Sequence, residues 1–214
     1  MKICWPRTIL SLVGAGYIAL QSTGFAVPII GGSTGLPSPD QTITFNEIVL
    51  ASGTPLTTQY SALGVTFSGV FYNPQPDPFP NISVPYAGNF SATGVPPVNL
   101  TNPFSIMFTQ DVTDASFAMA TRVGTSLFES YLNGVLVESF VAPTGFSSSN
   151  DFYGFTGSFF DEIRVTVTSQ NGAAVFDNLR FNYASANGVP EAGTAVGLLG
   201  IGLLALGALH RRLG

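Results

Sequence analysis

Lysine, cysteine, histidine and tryptophan each occur only once in the 214 residues, and all four lie near an end of the chain, as Lys2, Cys4, Trp5 and His210. Between them, the stretch from Val27 to Gly188 carries only three cations, Arg122, Arg164 and Arg180, against eleven acidic residues, a formal charge of −8. Each absence removes a chemistry. Without histidine there is no Ser-His-Asp triad. Without cysteine or histidine there is no ordinary zinc or copper site, and no disulfide. Without lysine there is neither a Schiff base nor a phosphate-binding P-loop, and no GxGxxG fingerprint is present. An acidic chain with so few cations is no partner for nucleic acid, because phosphate neutralisation needs clustered Lys and Arg. Two chemistries survive: a carboxylate-pair glycosidase, and binding of a hard cation by oxygen ligands. Asp151 and Asp161 are available as such a pair, although nothing in their spacing selects them, and the domain is expected not to be an enzyme. With 45% hydrophobic residues the chain is too apolar for intrinsic disorder.

The two ends carry addresses. Lys2 and Arg7 precede an uncharged apolar run from Thr8 to Leu20, and Gly24 and Ala26 are small residues at the −3 and −1 positions of a cleavage site. Residues 1–26 therefore read as a secretory signal peptide with a signal helix, the alternative being an uncleaved anchor. At the other end, Val189-Pro190-Glu191-Ala192 is followed by an uncharged segment, 194–209, and then by a basic tail, 210–214, with Arg211 and Arg212. Sixteen helical residues span about 24 Å, slightly less than a hydrocarbon core of ~30 Å, so a single transmembrane helix is expected there. The arginine pair would hold that end in the cytoplasm and leave the preceding domain outside.

The order Val189-Pro190-Glu191, a Gly/Leu-rich apolar segment and a terminal arginine cluster resembles the PEP-CTERM sorting signal of Gram-negative bacteria. The resemblance covers residues 189–214, and Ala192 stands where the family has a second proline. It implies recognition by an exosortase-type processing enzyme, passage through the inner membrane, removal of the tail, and a final place at the cell surface or outside the cell. It also implies an association with exopolysaccharide and biofilm.

Between the ends the pattern is all-β. Period-two alternation recurs over Thr42–Leu50, Gly64–Phe71, Phe104–Thr109, Ala115–Arg122, Ser126–Leu132, Val135–Val141, Ile163–Thr168 and Ala174–Asn182. Asn133-Gly134 favours a type I′ turn, which predicts a hairpin from Leu127 to Phe140. Gln170-Asn171-Gly172 predicts a second hairpin between the last two strands. Residues 27–40, with six Gly or Pro, read as a flexible leader, and Pro-rich Asn73 to Pro85 as an extended loop. The expected organisation is an antiparallel β-sandwich of jelly-roll type over 41–183, with a linker at 184–188. Seventeen of the 18 phenylalanines follow Ala26 and supply its core. The segments Ile43 to Phe67 and Val175 to Phe181 ("VFDNLRF") resemble those of a jelly-roll domain found in exported proteins with this tail, similar to carbohydrate-binding or lectin-like sandwiches.

Two carboxylates interrupt apolar faces. Glu47 alternates with Ile43, Phe45 and Val49, and Asp177 with Val175, Leu179 and Phe181. A buried carboxylate needs a cation or hydrogen-bond donors. One structural Ca²⁺ held by Glu47 and Asp177 meets that need, and sandwich modules of the resembling kind often carry one between their first and last strands. The alternative is a bulge or strand end that turns each carboxylate to solvent or to backbone N–H groups. Tyr72, Tyr86 and Tyr153 flank loops and are candidates for stacking on sugar rings, the alternative being ordinary rim positions.

Overall fold

The computed structural model describes residues 27–75, 79–92 and 97–184. The signal peptide, the sorting motif Val189–Ala192, the apolar segment and Arg211–Arg212 lie outside them. Among the described residues no helix is long and apolar enough to cross a membrane. The strands are β1 (Val27–Gly32), β2 (Gln41–Ile43), β3 (Pro55–Leu56), β4 (Val65–Ser68), β5 (Val70–Asn73) and β6 (Tyr86–Gly88), then β7 (Phe104–Thr121), β8 (Gly124–Leu132), β9 (Val135–Thr144), β10 (Phe152–Thr156), β11 (Phe160–Val167) and β12 (Ala174–Tyr183). Every pairing is antiparallel, and all twelve strands belong to one open sheet. The fold is all-β, as the alternation predicts.

Strand β7 organises the sheet. Its first part, Phe104 to Phe108, lies between β4 and β11, and β8 and β9 continue outward from β11. Its second part, from Ala115 on, lies between β10 and β12. The ladder shifts register at Val112–Asp114, where β7 passes from one set of partners to the other. The two arms enclose the main core. Phe176 of β12 sits 5.3 Å from Phe104, 5.7 Å from Phe117 and 5.6 Å from Phe45, and Phe128 of β8 stacks between Phe140 at 4.8 Å and Tyr153 at 4.9 Å. A smaller cluster (Ile82, Tyr86, Phe90, Ala118, Ala120, Phe152 and Val175) fills the opposite face of the second arm. There Ser116, Ala118 and Ala120 are small, and the chain can cross close above them. A Cβ on Gly35 would come within 2.9 Å of the Ser116 hydroxyl.

Several sequence expectations change here. Residues 27–40 do not begin as a flexible leader: Val27–Gly32 form β1 on β10, and Leu36 is buried with its N–H donating to Ser116 Oγ at 3.0 Å. Pairing with an open strand edge outweighs the glycines and prolines that suggested a loop. The first predicted strand, Thr42–Leu50, ends at Ile43, because Phe45 takes a left-handed φ of 58° and turns the chain. Gly64–Phe71 divides into β4 and β5 at Gly69, φ 70°. Phe104–Thr109 and Ala115–Arg122 are parts of one strand. The Asn133-Gly134 hairpin is present as β8–β9, with φ 52° and 76° at its two turn residues. Asn171-Gly172 also turns the chain, but β11 and β12 are not paired with each other; they flank β7 on opposite sides.

Candidate functional site

The register explains the two carboxylates. Along β12, Ala174 and Phe176 face the main core and Val175 the smaller one. A bulge between Asp177 and Arg180, with Asn178 at φ 52°, then resets the alternation. Leu179 and Phe181 consequently return to the main core, and Asp177 does not share their face. The expected grouping of Asp177 with Leu179 and Phe181 is therefore corrected by one inserted residue, which moves all later side chains to the other face.

Asp177 is fully buried, and both its oxygens are engaged. The Ser83 N–H donates to Oδ2 at 2.8 Å and the Asn178 N–H to Oδ1 at 2.6 Å. Burial pushes its pKa up to about 6; the two N–H donors oppose that rise and the nearby Glu47 carboxylate adds to it. Glu47 is not on an apolar strand face. It is exposed in the turn after β2, where Oε1 accepts the Thr44 N–H at 2.8 Å and the Thr44 hydroxyl at 3.0 Å. Val49, its expected face-mate, is 90% exposed. Both carboxylates thus use backbone donors, as the bulge-or-turn alternative requires, although the fold brings them close enough to repel. Burial, with Glu47 next, also raises the pKa of Tyr60. Among the described residues no three His, Cys, Asp or Glu side chains gather to hold a metal.

The three loop tyrosines are not available to a ligand. Tyr72, Tyr86 and Tyr153 are 2%, 0% and 3% exposed. Tyr72 and Tyr153 pack in the main core and Tyr86 in the smaller one, and the Tyr153 hydroxyl donates to the Pro143 carbonyl at 2.9 Å. They sit at strand positions whose alternation points inward, which loop proximity in the sequence conceals. Asp151 and Asp161 are engaged separately. Asp161 Oδ2 accepts the Asn133 N–H at the hairpin turn, at 2.9 Å, and Asp151 Oδ1 accepts the Asn81 side-chain amide at 2.8 Å.

The outward face of the first arm gathers polar groups that no single segment reveals. Antiparallel register aligns Ser68, Ser105, Arg164, Glu129 and Ser139 in one row across β4, β7, β11, β8 and β9. The next row is Thr66, Met107, Glu162, Tyr131 and Leu136. At the usual strand spacing these rows are about 19 Å wide. At their centre, Glu162 Oε1 accepts Arg164 Nη2 at 3.0 Å, Arg164 Nε at 3.2 Å and the Ser105 hydroxyl at 2.7 Å. The Arg164 guanidinium lies 4.5 Å from the centroid of the Tyr131 ring, a cation–π contact. Tyr131 is half-buried, and its pKa is raised by burial and by the neighbouring Glu129 carboxylate. Alternation in β8 places Leu127, Glu129 and Tyr131 outward; only the pairing with β11 brings Arg164 beside them.

No protein-family model matches the chain, and no curated protein matches it.

Proposed function

We propose that this chain is an exported, non-enzymatic surface or extracellular-matrix protein of bacteria, with a β-sandwich module of jelly-roll type delivered through a PEP-CTERM-like tail. The observation that carries the reading is the order of parts: an apolar leader ending at Ala26, one β module, and Val189-Pro190-Glu191 followed by an apolar segment and Arg211-Arg212. The described all-β module, whose last strand ends at Tyr183, lies between those ends in the sequence. In this reading an exosortase-type enzyme in the inner membrane is the processing partner. Cell fractionation tests it: the protein is expected in the envelope and medium, and recovery of the full-length chain from the cytosol would reject it.

A second reading is favoured by the polar rows on the first arm: a carbohydrate-binding module acting on exopolysaccharide. Hydroxyl, carboxylate and guanidinium groups alternate there beside an aromatic ring, and Glu129 and Glu162 outnumber Arg164, which suits an uncharged glycan better than a polyanion. Retention on a panel of neutral polysaccharides, lost in Tyr131→Ala and Arg164→Ala, would support it; no retention across the panel would leave the matrix role alone. The glycoside-hydrolase reading is the weakest, because Asp151 and Asp161 serve different hydrogen bonds.

A structural Ca²⁺ at Glu47 and Asp177 is not required by this donor set, since backbone N–H groups already meet both Asp177 oxygens. A melt with and without chelator, compared between the wild type and Glu47→Gln, decides the point: a chelator-induced drop that Glu47→Gln removes would establish that ion.

A further inference from the structure

Two buried carboxylates hold the same stretch of chain. Residues 79–85 cross the second arm as a strap. Ile82 is buried against Ala118, Ala120, Phe152 and Val175, while Asn81 and Ser83 on either side of it are exposed. The hydrogen bonds of those two residues run to two places. The Asn81 side-chain amide donates to Asp151 Oδ1 at 2.8 Å and to the Ser149 carbonyl at 2.9 Å. The Ser83 N–H donates to Asp177 Oδ2 at 2.8 Å, and the Asn81 carbonyl accepts the Asn178 side-chain amide at 2.6 Å. Each fastening is thus a carboxylate with one polar neighbour.

Among the described residues neither carboxylate has a cation. Arg164 is bound to Glu162, Arg180 lies over the Phe152 ring and donates to the Leu36 carbonyl, and Arg122 is exposed. The groups facing Asp177 are the Ser83 and Asn178 N–H donors, the Glu47 carboxylate from the turn after β2, and the Tyr60 hydroxyl. Those facing Asp151 are the Asn81 amide and the Tyr153 hydroxyl. None is positive. Asp177 is fully buried, and Asp151 is buried with its Oδ2 lacking a hydrogen-bond partner. An anion so placed gains by reaching water, and a neutral carboxyl gains far less. Burial accordingly raises the pKa of Asp151 and pushes that of Asp177 up to about 6.

We propose that residues 79–85 are a pH-operated strap, closed over the second arm while Asp151 and Asp177 hold their protons and lifting as they ionise. Lifting removes the Asn81 amide and the Ser83 N–H together and opens both carboxylates to water. The open form therefore binds fewer protons than the closed one, and rising pH favours it. The apolar contacts given up are those of Ile82 and the partly buried Phe79. The sheet keeps its pairing, because residues 79–85 contribute no strand to it. The inference does not depend on the export reading.

Amide hydrogen exchange of the purified protein tests it. The Ser83 N–H reports on the strap, and the N–H groups of Ile106 and Ile163, paired across β7 and β11 in the main core, report on global unfolding. Each rate is divided by the intrinsic rate at the same pH. Ser83 is expected to be less protected than the two references, through an opening that low urea does not accelerate, as befits a local event. With the Asp177 pKa moving from 3.8 to about 6 on closure, Ser83 protection falls about fifty-fold between pH 4 and pH 8. In Asp177→Asn the fall shrinks to what Asp151 supplies, and in the double variant Asp151→Asn, Asp177→Asn it vanishes. Should the variants fold poorly, the wild type alone decides. Ser83 protection equal to that of Ile106 and Ile163, or equal at pH 4 and pH 8, would overturn the proposal, as would an undiminished fall in the double variant.

Discussion

The two parts of β7 lie in opposite surroundings. From Ala115 to Thr121 every residue is buried, because the main core covers one face and the segments around Leu36 and Ile82 cover the other. From Phe104 to Phe108 burial alternates strictly, and the outward residues Ser105 and Met107, which belong to the polar rows, are only half-buried. One strand therefore serves a sealed arm and an open one. In the sealed arm a carboxylate loses solvent and depends on hydrogen-bond donors, as Asp177 does on two backbone N–H groups and Asp151 on the Asn81 side-chain amide. In the open arm charged groups remain hydrated and can meet a partner at little cost to the fold.

That contrast can be broken first in the sealed arm. Gly154→Ala would drive a methyl group into the Ala115 main-chain carbonyl, and Phe176→Ala would empty the centre of four aromatic contacts. Each is expected to cost about 3–5 kcal/mol in urea unfolding, or to prevent folding. The next effect is electrostatic. Burial raises the Asp177 pKa from 3.8 to about 6, so the folded state holds this proton more tightly than the unfolded chain. Its contribution to stability is therefore present in full below about pH 4 and is lost as pH rises to about 6 and beyond. Relative to Asp177→Asn, the wild type should lose about 3 kcal/mol across that interval. Parallel pH profiles for the two proteins would show that Asp177 is not perturbed.

Smaller effects belong to the open arm. Gly134→Ala meets no atom within 4 Å, and only its φ of 76° opposes the change. A loss of about 1 kcal/mol is expected, readable as a lower denaturant midpoint at unchanged m-value. Arg164→Ala and Tyr131→Ala should cost under about 1 kcal/mol each, because their ion pair and ring contact remain partly solvated. A large loss from either would mean that the open face is a structural element rather than a free surface.

Local chemistry made much of this fold readable in advance. Asn133-Gly134 fixed its turn because both positions need left-handed φ, and the phenylalanines marked the core by their bulk. What escaped was decided by pairing. The bulge after Asp177 has no signature in Val175 to Phe181, so alternation carried the wrong face forward. Phe45 is a poor candidate for positive φ, yet the core holds it there 5.4 Å from Tyr60. Tyr131 drew no notice because its partner, Arg164, lies in another strand. Asp151 was noticed only as one of a possible glycosidase pair with Asp161; that one of its oxygens is buried without a hydrogen-bond partner is decided by the fold.

The most direct measurement is the mass of the protein recovered from the cell surface and the medium. Export and sorting predict a chain that begins at Val27 and ends near Glu191 or Ala192. A mass corresponding to Met1–Gly214, with Arg211 and Arg212 still attached, would contradict them.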